Sequence, residues 1–99
     1  MRTLPVQATP ALAFNPAQIT ISPGDSVTFV FGSVAHNVTF QQESQDAAAY
    51  YAGRTSSRGA PTNIPTTANA AVVRVFPTVG TYEYRCSIHP GMLGEVKAR

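Results

Sequence analysis

Residues 80–92 read GTYEYRCSIHPGM, and this stretch decides both the fold and the chemistry of the chain. In its first half, large side chains alternate with charged ones at the period of two that indicates a half-buried β-strand. In its second half, Cys86, His89 and Met92 follow one another at a spacing of three, and a Pro-Gly pair indicates a turn between the last two. The stretch therefore predicts a strand that leads into a short loop on which three side chains converge.

These three side chains, together with His36 on another predicted strand, form a plausible set of metal ligands. The chain contains one cysteine and two histidines in total, and all three belong to the set. One thiolate, two imidazoles and a weak thioether suit a copper ion that exchanges one electron. Zinc is more often held by four strong ligands, or by three with an open position. We therefore predict one copper ion per chain, bound by His36, Cys86 and His89, with Met92 as the axial ligand.

Length and composition indicate one small folded domain spanning residues 1–99. With 43% hydrophobic and 12% charged residues, the chain is too apolar to be disordered, and 99 residues allow a single core. The formal net charge of +2 and the lack of a basic run argue against nucleic-acid binding. No stretch of about eighteen apolar residues predicts a membrane span. A single cysteine excludes an internal disulfide.

Period-two alternation recurs along the chain and is interrupted by turn residues, which is typical of an all-β, antiparallel sandwich. The predicted strands are residues 18–21, 26–31, 36–40, 72–76, 81–86 and 92–97. His36 shares a face with Val38 and Phe40, so we expect this ligand to enter the site from inside the fold. Tyr82 and Tyr84 are expected to pack in the core.

The segment 41–71 has the least legible pattern, because it is rich in Ala, Ser, Thr, Gln and Pro. Residues 46–51 are consistent with a short helix, and residues 54–65 with a loop. A connection of this length is usually functional or mobile. The alternative is a solvated surface excursion with a short edge strand.

Residues 14–96 resemble the cupredoxins, the family of small blue copper proteins that includes plastocyanin, pseudoazurin and amicyanin. The resemblance rests on residues 19–25, 36–40 and 80–92, of which the last stretch is the most specific. The ligand loop has two residues between Cys86 and His89 and two between His89 and Met92, which is similar to the short amicyanin loop. The resemblance implies Greek-key connections, about seven to eight strands, and single-electron transfer through a type 1 copper site.

The resemblance also implies roles for two residues beside the predicted ligands. Asn37 is expected to brace the ligand loop by bonding to Ser87, and a backbone N–H from this neighbourhood is expected to reach the thiolate. Such hydrogen bonds withdraw electron density from sulfur and tune the reduction potential.

Electrons are expected to enter and leave through His89, because a histidine on a loop between strands can expose its ring edge while the other ligands stay buried. An apolar docking patch is predicted around it. The patch comprises Pro90, Gly91, Leu93, Val34, Ala35, Phe14 and Pro16. Redox partner proteins should bind there weakly and briefly, and we expect the domain to be a monomer.

Three other functions are compatible with parts of the pattern. A copper carrier or storage protein would use the same ligands. An enzyme would need a second copper bound by further histidines and an open coordination position, so this chain alone is not expected to be an enzyme. A detached blue copper domain of a larger multicopper enzyme stays open as an alternative. A metal-free immunoglobulin-like adhesion module would lack the inter-sheet disulfide.

The N-terminal residues lack the apolar region of a secretory signal. A soft thiolate site is usually loaded with copper outside the cytoplasm. Either the protein stays inside the cell, or Met1 stands in place of a removed leader. Copper loading favours the second, so we expect a periplasmic or otherwise extracytoplasmic location.

Overall fold

Two β-sheets pack face to face in the computed structural model, which describes residues 2–40, 61–89 and 91–99. The strands of the described residues are β1 (Thr3–Ala8), β2 (Phe14–Asn15), β3 (Gln18–Ile21), β4 (Ser26–Phe31), β5 (His36–Phe40), β6 (Ile64–Thr67), β7 (Ala70–Val75), β8 (Gly80–Arg85) and β9 (Leu93–Ala98). One sheet has the order β2-β1-β4-β7 and the other β3-β9-β8-β5-β6. The predicted all-β sandwich is confirmed.

Aromatic side chains from both sheets meet at the centre of the sandwich. Tyr84 of β8 lies edge-on to Phe14 of β2 and Phe29 of β4, with ring centroids 4.8 and 5.3 Å apart. Phe40 of β5 approaches the Tyr84 ring at 5.8 Å. Edge-to-face pairs at these distances add to the free energy gained by burying the rings. The expected core positions of Tyr82 and Tyr84 are confirmed, since both are buried.

The connectivity differs from the prediction in two ways. The described residues form nine strands instead of seven or eight, and two strand pairs are parallel: β1 with β4, and β3 with β9. The N-terminal strand β1 was not predicted, because Pro5 interrupts its pattern and prolines are rare inside sheets. β1 tolerates Pro5 because its pairing with β2 covers only Gln7 and Ala8, which leaves one edge open at the proline.

The remaining strand predictions agree with the structure to within two residues at each end. The predicted loop over residues 54–65 is wrong at its end, where Ile64 begins β6 and pairs with Val38. β6 is the outermost strand of its sheet, a position that tolerates Pro65. The helix predicted over residues 46–51 lies outside the described residues. Within the part of the chain that the structure describes, no helix is long and apolar enough to cross a membrane.

β6 is held against β5, the strand that carries His36, by contacts from both sheets. Phe40 donates its backbone N–H to Asn63 Oδ1 at 2.9 Å, and His36 pairs with Thr67. From the other sheet, Arg74 of β7 donates through Nε to the Thr62 carbonyl at 2.7 Å. These bonds fix the edge of the sandwich beside the first predicted ligand.

At the N-terminal end of β1, the buried carboxylate of Asp25 connects the N-terminal segment to the turn between β3 and β4. The backbone N–H of Arg2 donates to Asp25 Oδ1 at 2.9 Å, and that of Ser22 donates to Oδ2 at 3.0 Å. The Arg2 guanidinium adds an ion pair at 3.2 Å. The hydrogen bond from the Arg2 backbone is the largest cause that lowers the pKa of Asp25 below its usual 3.8.

We expect acid to weaken the fold through this carboxylate. Because the folded state lowers the pKa of Asp25, its contribution is fully present above the unfolded-state pKa near 3.8. The contribution is lost as the pH falls through the lower pKa of the folded state. Urea unfolding between pH 5 and 2.5 should show a flatter pH dependence in Asp25→Asn than in the parent protein. Arg2→Gln, which keeps the backbone donors, should fall between them; an unchanged slope in Asp25→Asn would contradict the assignment.

Candidate metal centre

His36 opens β5 and is fully buried, as expected from its shared face with Val38 and Phe40. Its Nε2 lies 2.9 Å from the carbonyl oxygen of Thr9, which follows β1. Its Nδ1 points the other way and lies 2.9 Å from Nδ1 of His89. One side of the ring is thus held by the backbone, while the other faces the loop after β8.

This ligand loop, residues 86–92, is closed by its own backbone. The N–H of Cys86 donates to the Met92 carbonyl at 3.0 Å, so both ends of the loop are held together. Inside it, His89 N donates to the Cys86 carbonyl and Met92 N to the His89 carbonyl, at 3.3 and 3.2 Å. Gly91 has a φ of 84°, a left-handed conformation that glycine adopts readily. The bond from His89 N closes a tight turn over residues 86–89, which brings Cys86 and His89 to the same side of the loop.

Three donor atoms meet where the loop faces β5. Cys86 Sγ is 3.4 Å from His89 Nδ1 and 3.9 Å from His36 Nδ1, and the two ring nitrogens are 2.9 Å apart. Metal bonds from nitrogen and thiolate sulfur are about 2.0 and 2.3 Å long, so two ligands of one ion lie no more than about 4.0–4.3 Å apart. All three separations meet this limit, and the donor set therefore fits one ion. Among the described residues, His36, Cys86 and His89 form the one group of three or more acidic, histidine or cysteine side chains that lie close enough together to hold a metal ion.

Asn37 links β5 to the ligand loop beside the donors. Its backbone N–H donates to Cys86 Sγ at 3.4 Å, its side-chain Nδ2 donates to Ser87 Oγ at 2.8 Å, and its Oδ1 accepts from Ser87 N at 2.8 Å. A thiolate that accepts a hydrogen bond from a backbone N–H carries less electron density on sulfur. The two hydrogen bonds between Asn37 and Ser87 orient the ligand loop before a metal binds. The structure thus brings together the pair of residues named from the resemblance.

A protein-family model described as "Copper binding proteins, plastocyanin/azurin family" matches residues 3–99. The chain belongs to this family, the cupredoxins. Family membership and the donor set together identify copper as the cofactor. The predicted family and the predicted cofactor are therefore confirmed, and the family match extends beyond residues 14–96 at both ends.

Solved structures similar to this cupredoxin include several of amicyanin. A reduced Cu(I) form at pH 4 aligns at 23% identity and a TM-score of 0.74, and a second reduced variant at 23% and 0.75. The oxidized state of another variant gives 23% and 0.74. Each alignment covers 98% of this chain and 82% of the amicyanin chain. At this identity the similarity shows a shared fold.

The structure gives less direct support for the roles predicted for Met92 and for the docking patch of this cupredoxin. Met92 is buried at the end of the ligand loop, and its role as an axial ligand stays a prediction. In the predicted docking patch, Gly91, Leu93 and Pro16 are exposed and Val34 and Ala35 are half-buried. The prediction was wrong for Phe14, which packs against Tyr84 in the core. Pro90 lies outside the described residues.

Three residues near the site of this cupredoxin were missed. The Thr9 carbonyl had no signal, because a backbone oxygen twenty-seven residues from His36 leaves no trace in side-chain patterns. Ile88 and Leu12 are large apolar residues with 48% and 47% exposure. Ile88 lies next to His89 in the ligand loop, so its position alone could have placed it in the predicted docking patch.

Proposed function

We propose that this protein carries single electrons between partner proteins through one type 1 copper site. The proposal rests mainly on the short distances from Cys86 Sγ to Nδ1 of His36 and of His89. The ligand loop that carries Cys86 and His89 is closed by backbone hydrogen bonds. His36, Cys86 and His89 would hold the copper, with Met92 as a weak fourth ligand and Asn37 and Ser87 bracing the loop. Copper bound there would supply a one-electron couple. The surrounding chain would hold the ligands still, so that little rearrangement accompanies a change of oxidation state.

Exposure of the ligands supports docking around His89. His36 and Cys86 are buried, whereas His89 is half-buried and is the described donor closest to solvent. Its loop also carries Ile88, and Leu93, with 61% exposure, follows the loop directly. An apolar surface around an accessible ligand suits a small interface that forms and separates quickly. We place the partner-binding surface there.

The proposal includes the finer expectations from the sequence. It takes residues 1–99 as one domain that acts as a monomer in an extracytoplasmic compartment and has no enzymatic activity. The two histidines of these 99 residues both belong to the donor set, so a second copper bound by histidines would need ligands from outside this sequence. This supports a carrier of electrons over a self-contained copper enzyme.

Titration of the reduced protein with Cu(II), followed by visible absorption and electron paramagnetic resonance, tests the proposal. An intense blue thiolate-to-copper band and a narrow parallel hyperfine splitting, both saturating at one copper per chain, would support a type 1 site. Fast electron exchange with a small redox protein should accompany them. A colourless or weakly bound product would overturn the proposal in favour of a copper carrier or a metal-free module.

We expect Met92→Leu to raise the reduction potential while the blue colour remains. Removing the weak thioether donor disfavours Cu(II) relative to Cu(I), by on the order of tenfold, or roughly 59 mV for a one-electron couple. Protein-film voltammetry of the copper-loaded variant measures this shift. Met92→Gln, which offers a harder oxygen donor at the same place, should shift the potential in the opposite direction. An unchanged or lower potential in Met92→Leu would remove Met92 from the ligand set.

A further inference from the structure

Two connections cross between the sheets next to the buried His36. Residues 32–35 lead from β4 to β5, and residues 68–69 lead back from β6 to β7. Both connections join paired strands, since β4 is paired with β7 and β5 with β6. The shorter connection spans the gap between the sheets with two residues, whereas the longer one uses four. The shorter connection is therefore the more tightly constrained of the two. We call residues 64–70, which contain β6 and the shorter connection, the β6–β7 corner.

The strands are paired at the residues that flank the two connections. Phe31, the last residue of β4, pairs with Ala70, the first residue of β7. His36, the first residue of β5, pairs with Thr67, the last residue of β6. The backbone of His36 is therefore linked directly to the β6–β7 corner.

Asn69 adds a contact between the two connections. Its backbone N–H donates to the Gly32 carbonyl at 2.8 Å. Its φ is 56°, in the left-handed region, which a short polar side chain tolerates better than other non-glycine residues do. Asn69 thus combines the sharp bend from one sheet to the other with the hydrogen bond that holds the longer connection at its first residue.

A β-bulge adapts the other end of the β6–β7 corner to β5. The pairing of the two strands shifts register between His36 and Val38, so Asn37 faces two residues of β6 instead of one. The Thr67 hydroxyl donates to the Pro65 carbonyl within the bulge at 2.6 Å. A bulge bends a strand pair locally and redirects the groups beside it. Here the group beside it is the Asn37 backbone N–H, which donates to the cysteine sulfur of the ligand loop at 3.4 Å.

On its other side, the start of β5 has less support from its neighbouring strand. Among the described residues, the pairing of β5 with β8 covers Thr39 and Phe40 only. Beyond that point the ligand loop lies beside β5, and the Asn37 side chain bonds to it. The backbone at the start of β5 is therefore held by the β6–β7 corner on one side and by the ligand loop on the other.

We propose that the β6–β7 corner is the positioning element for the start of β5, with Asn69 as its positioning residue. The inference rests on the proposed function, because it takes His36 as a copper ligand and the Asn37 N–H as a partner of the coordinating sulfur. The corner holds both backbone groups in place before copper binds. Loss of the N–H···S bond raises the electron density on sulfur, which favours Cu(II) and lowers the reduction potential.

The pair Asn69→Val and Asn69→Gly tests the positioning residue in the copper-free full chain. Both changes remove the side-chain amide, but only valine, which is branched at Cβ, disfavours the left-handed backbone conformation. Amide hydrogen exchange followed by nuclear magnetic resonance should be about tenfold faster at Asn37 N–H in Asn69→Val than in Asn69→Gly. Equal exchange at Asn37 in the two variants would overturn the inference.

Asp25→Asn separates positioning from a general loss of stability. Asp25 precedes the first residue of β4, whereas the β6–β7 corner meets β4 at its last residue. Asp25→Asn should lower the unfolding temperature and leave the reduction potential of the copper-loaded protein unchanged. Asn69→Val should raise the preference for Cu(II) over Cu(I) by up to about tenfold, which lowers the potential by roughly 59 mV. Equal potentials in Asn69→Val and Asp25→Asn would contradict the positioning role.

If Asn69→Val does not fold, Thr67→Val and Thr67→Ser replace the first pair. Valine removes the hydroxyl that is bonded to the Pro65 carbonyl, and serine retains it. Faster exchange at Asn37 in Thr67→Val than in Thr67→Ser supports the inference, and equal exchange overturns it. Absence of a blue band in the copper-loaded parent protein would overturn the proposed function and leave the exchange result in the copper-free chain standing.

Discussion

Cys86→Ser is expected to give a folded protein that no longer turns blue when copper is added. The colour of the proposed site would arise from charge transfer between the thiolate and Cu(II), and a serine hydroxyl cannot replace that donor. Copper affinity should fall by more than roughly 100-fold, since even the loss of an outer partner costs 10–100-fold. Cys86 is buried, so the new hydroxyl should cost about 1–2 kcal/mol of stability, which leaves the fold intact.

Visible absorption and competition for Cu(I) with a chelator measure both effects. The neighbouring variant Ser87→Ala is the control, because it removes the bond from Asn37 Nδ2 and keeps the thiolate. It should retain the blue band. A band that persists in Cys86→Ser would show that the thiolate is not a ligand, and the type 1 assignment would fail with it.

Gly94→Ala is expected to cause the largest loss of stability among the single substitutions considered for this protein. Gly94 of β9 pairs directly with Tyr84 of β8, and a methyl group at Gly94 would overlap the end of the tyrosine ring. That ring cannot move away easily, because Phe14 and Phe29 enclose it. Overpacking of a core of this kind costs about 3 kcal/mol, which lowers the unfolding temperature of a chain this size by roughly 15 °C.

Gly32→Ala is the matched control, since a methyl group there would meet no atom within 4 Å. Its effect on the free energy of unfolding should stay within about 0.5 kcal/mol. Urea unfolding of the copper-free proteins compares the two changes without any contribution from metal binding. Equal stabilities of the two variants would mean that Tyr84 does not occupy the space over Gly94.

The strands that could be predicted are those whose information is local. Residues 18–31 hold two strands in which side chains alternate between more and less buried positions, so the period of two was sufficient to locate them. In His36–Phe40 the alternation of residue types located the strand, although Asn37 between the apolar positions is also buried. β2 has two residues, too few to show a period, and β1 contains a proline. The parallel pairing of β1 with β4 joins segments that lie more than twenty residues apart, and no local pattern records such a pairing.

For the candidate site, residue types were informative and backbone groups were not. Cysteine, histidine and methionine are rare enough here that their spacing on one loop pointed to a metal, and the structure brings Cys86, His89 and His36 together. Burial was the harder property to predict. Phe14 was placed on the surface by its neighbours in sequence, yet it packs against Tyr84 from the opposite sheet. Such a contact depends on how the sheets stack.

The hydrogen bonds around Asp25 determine where the protein can be attached to a surface or to another protein. Arg99 donates its backbone N–H to the Ile21 carbonyl at 3.0 Å, and the adjacent Ser22 shares the Asp25 carboxylate with Arg2. Residues 2 and 99 therefore lie at the same end of the sandwich, and Thr9, which contacts His36, is about 20 Å away along β1. A linker to an electrode, a surface or a fusion partner at either residue would leave His89 facing outward.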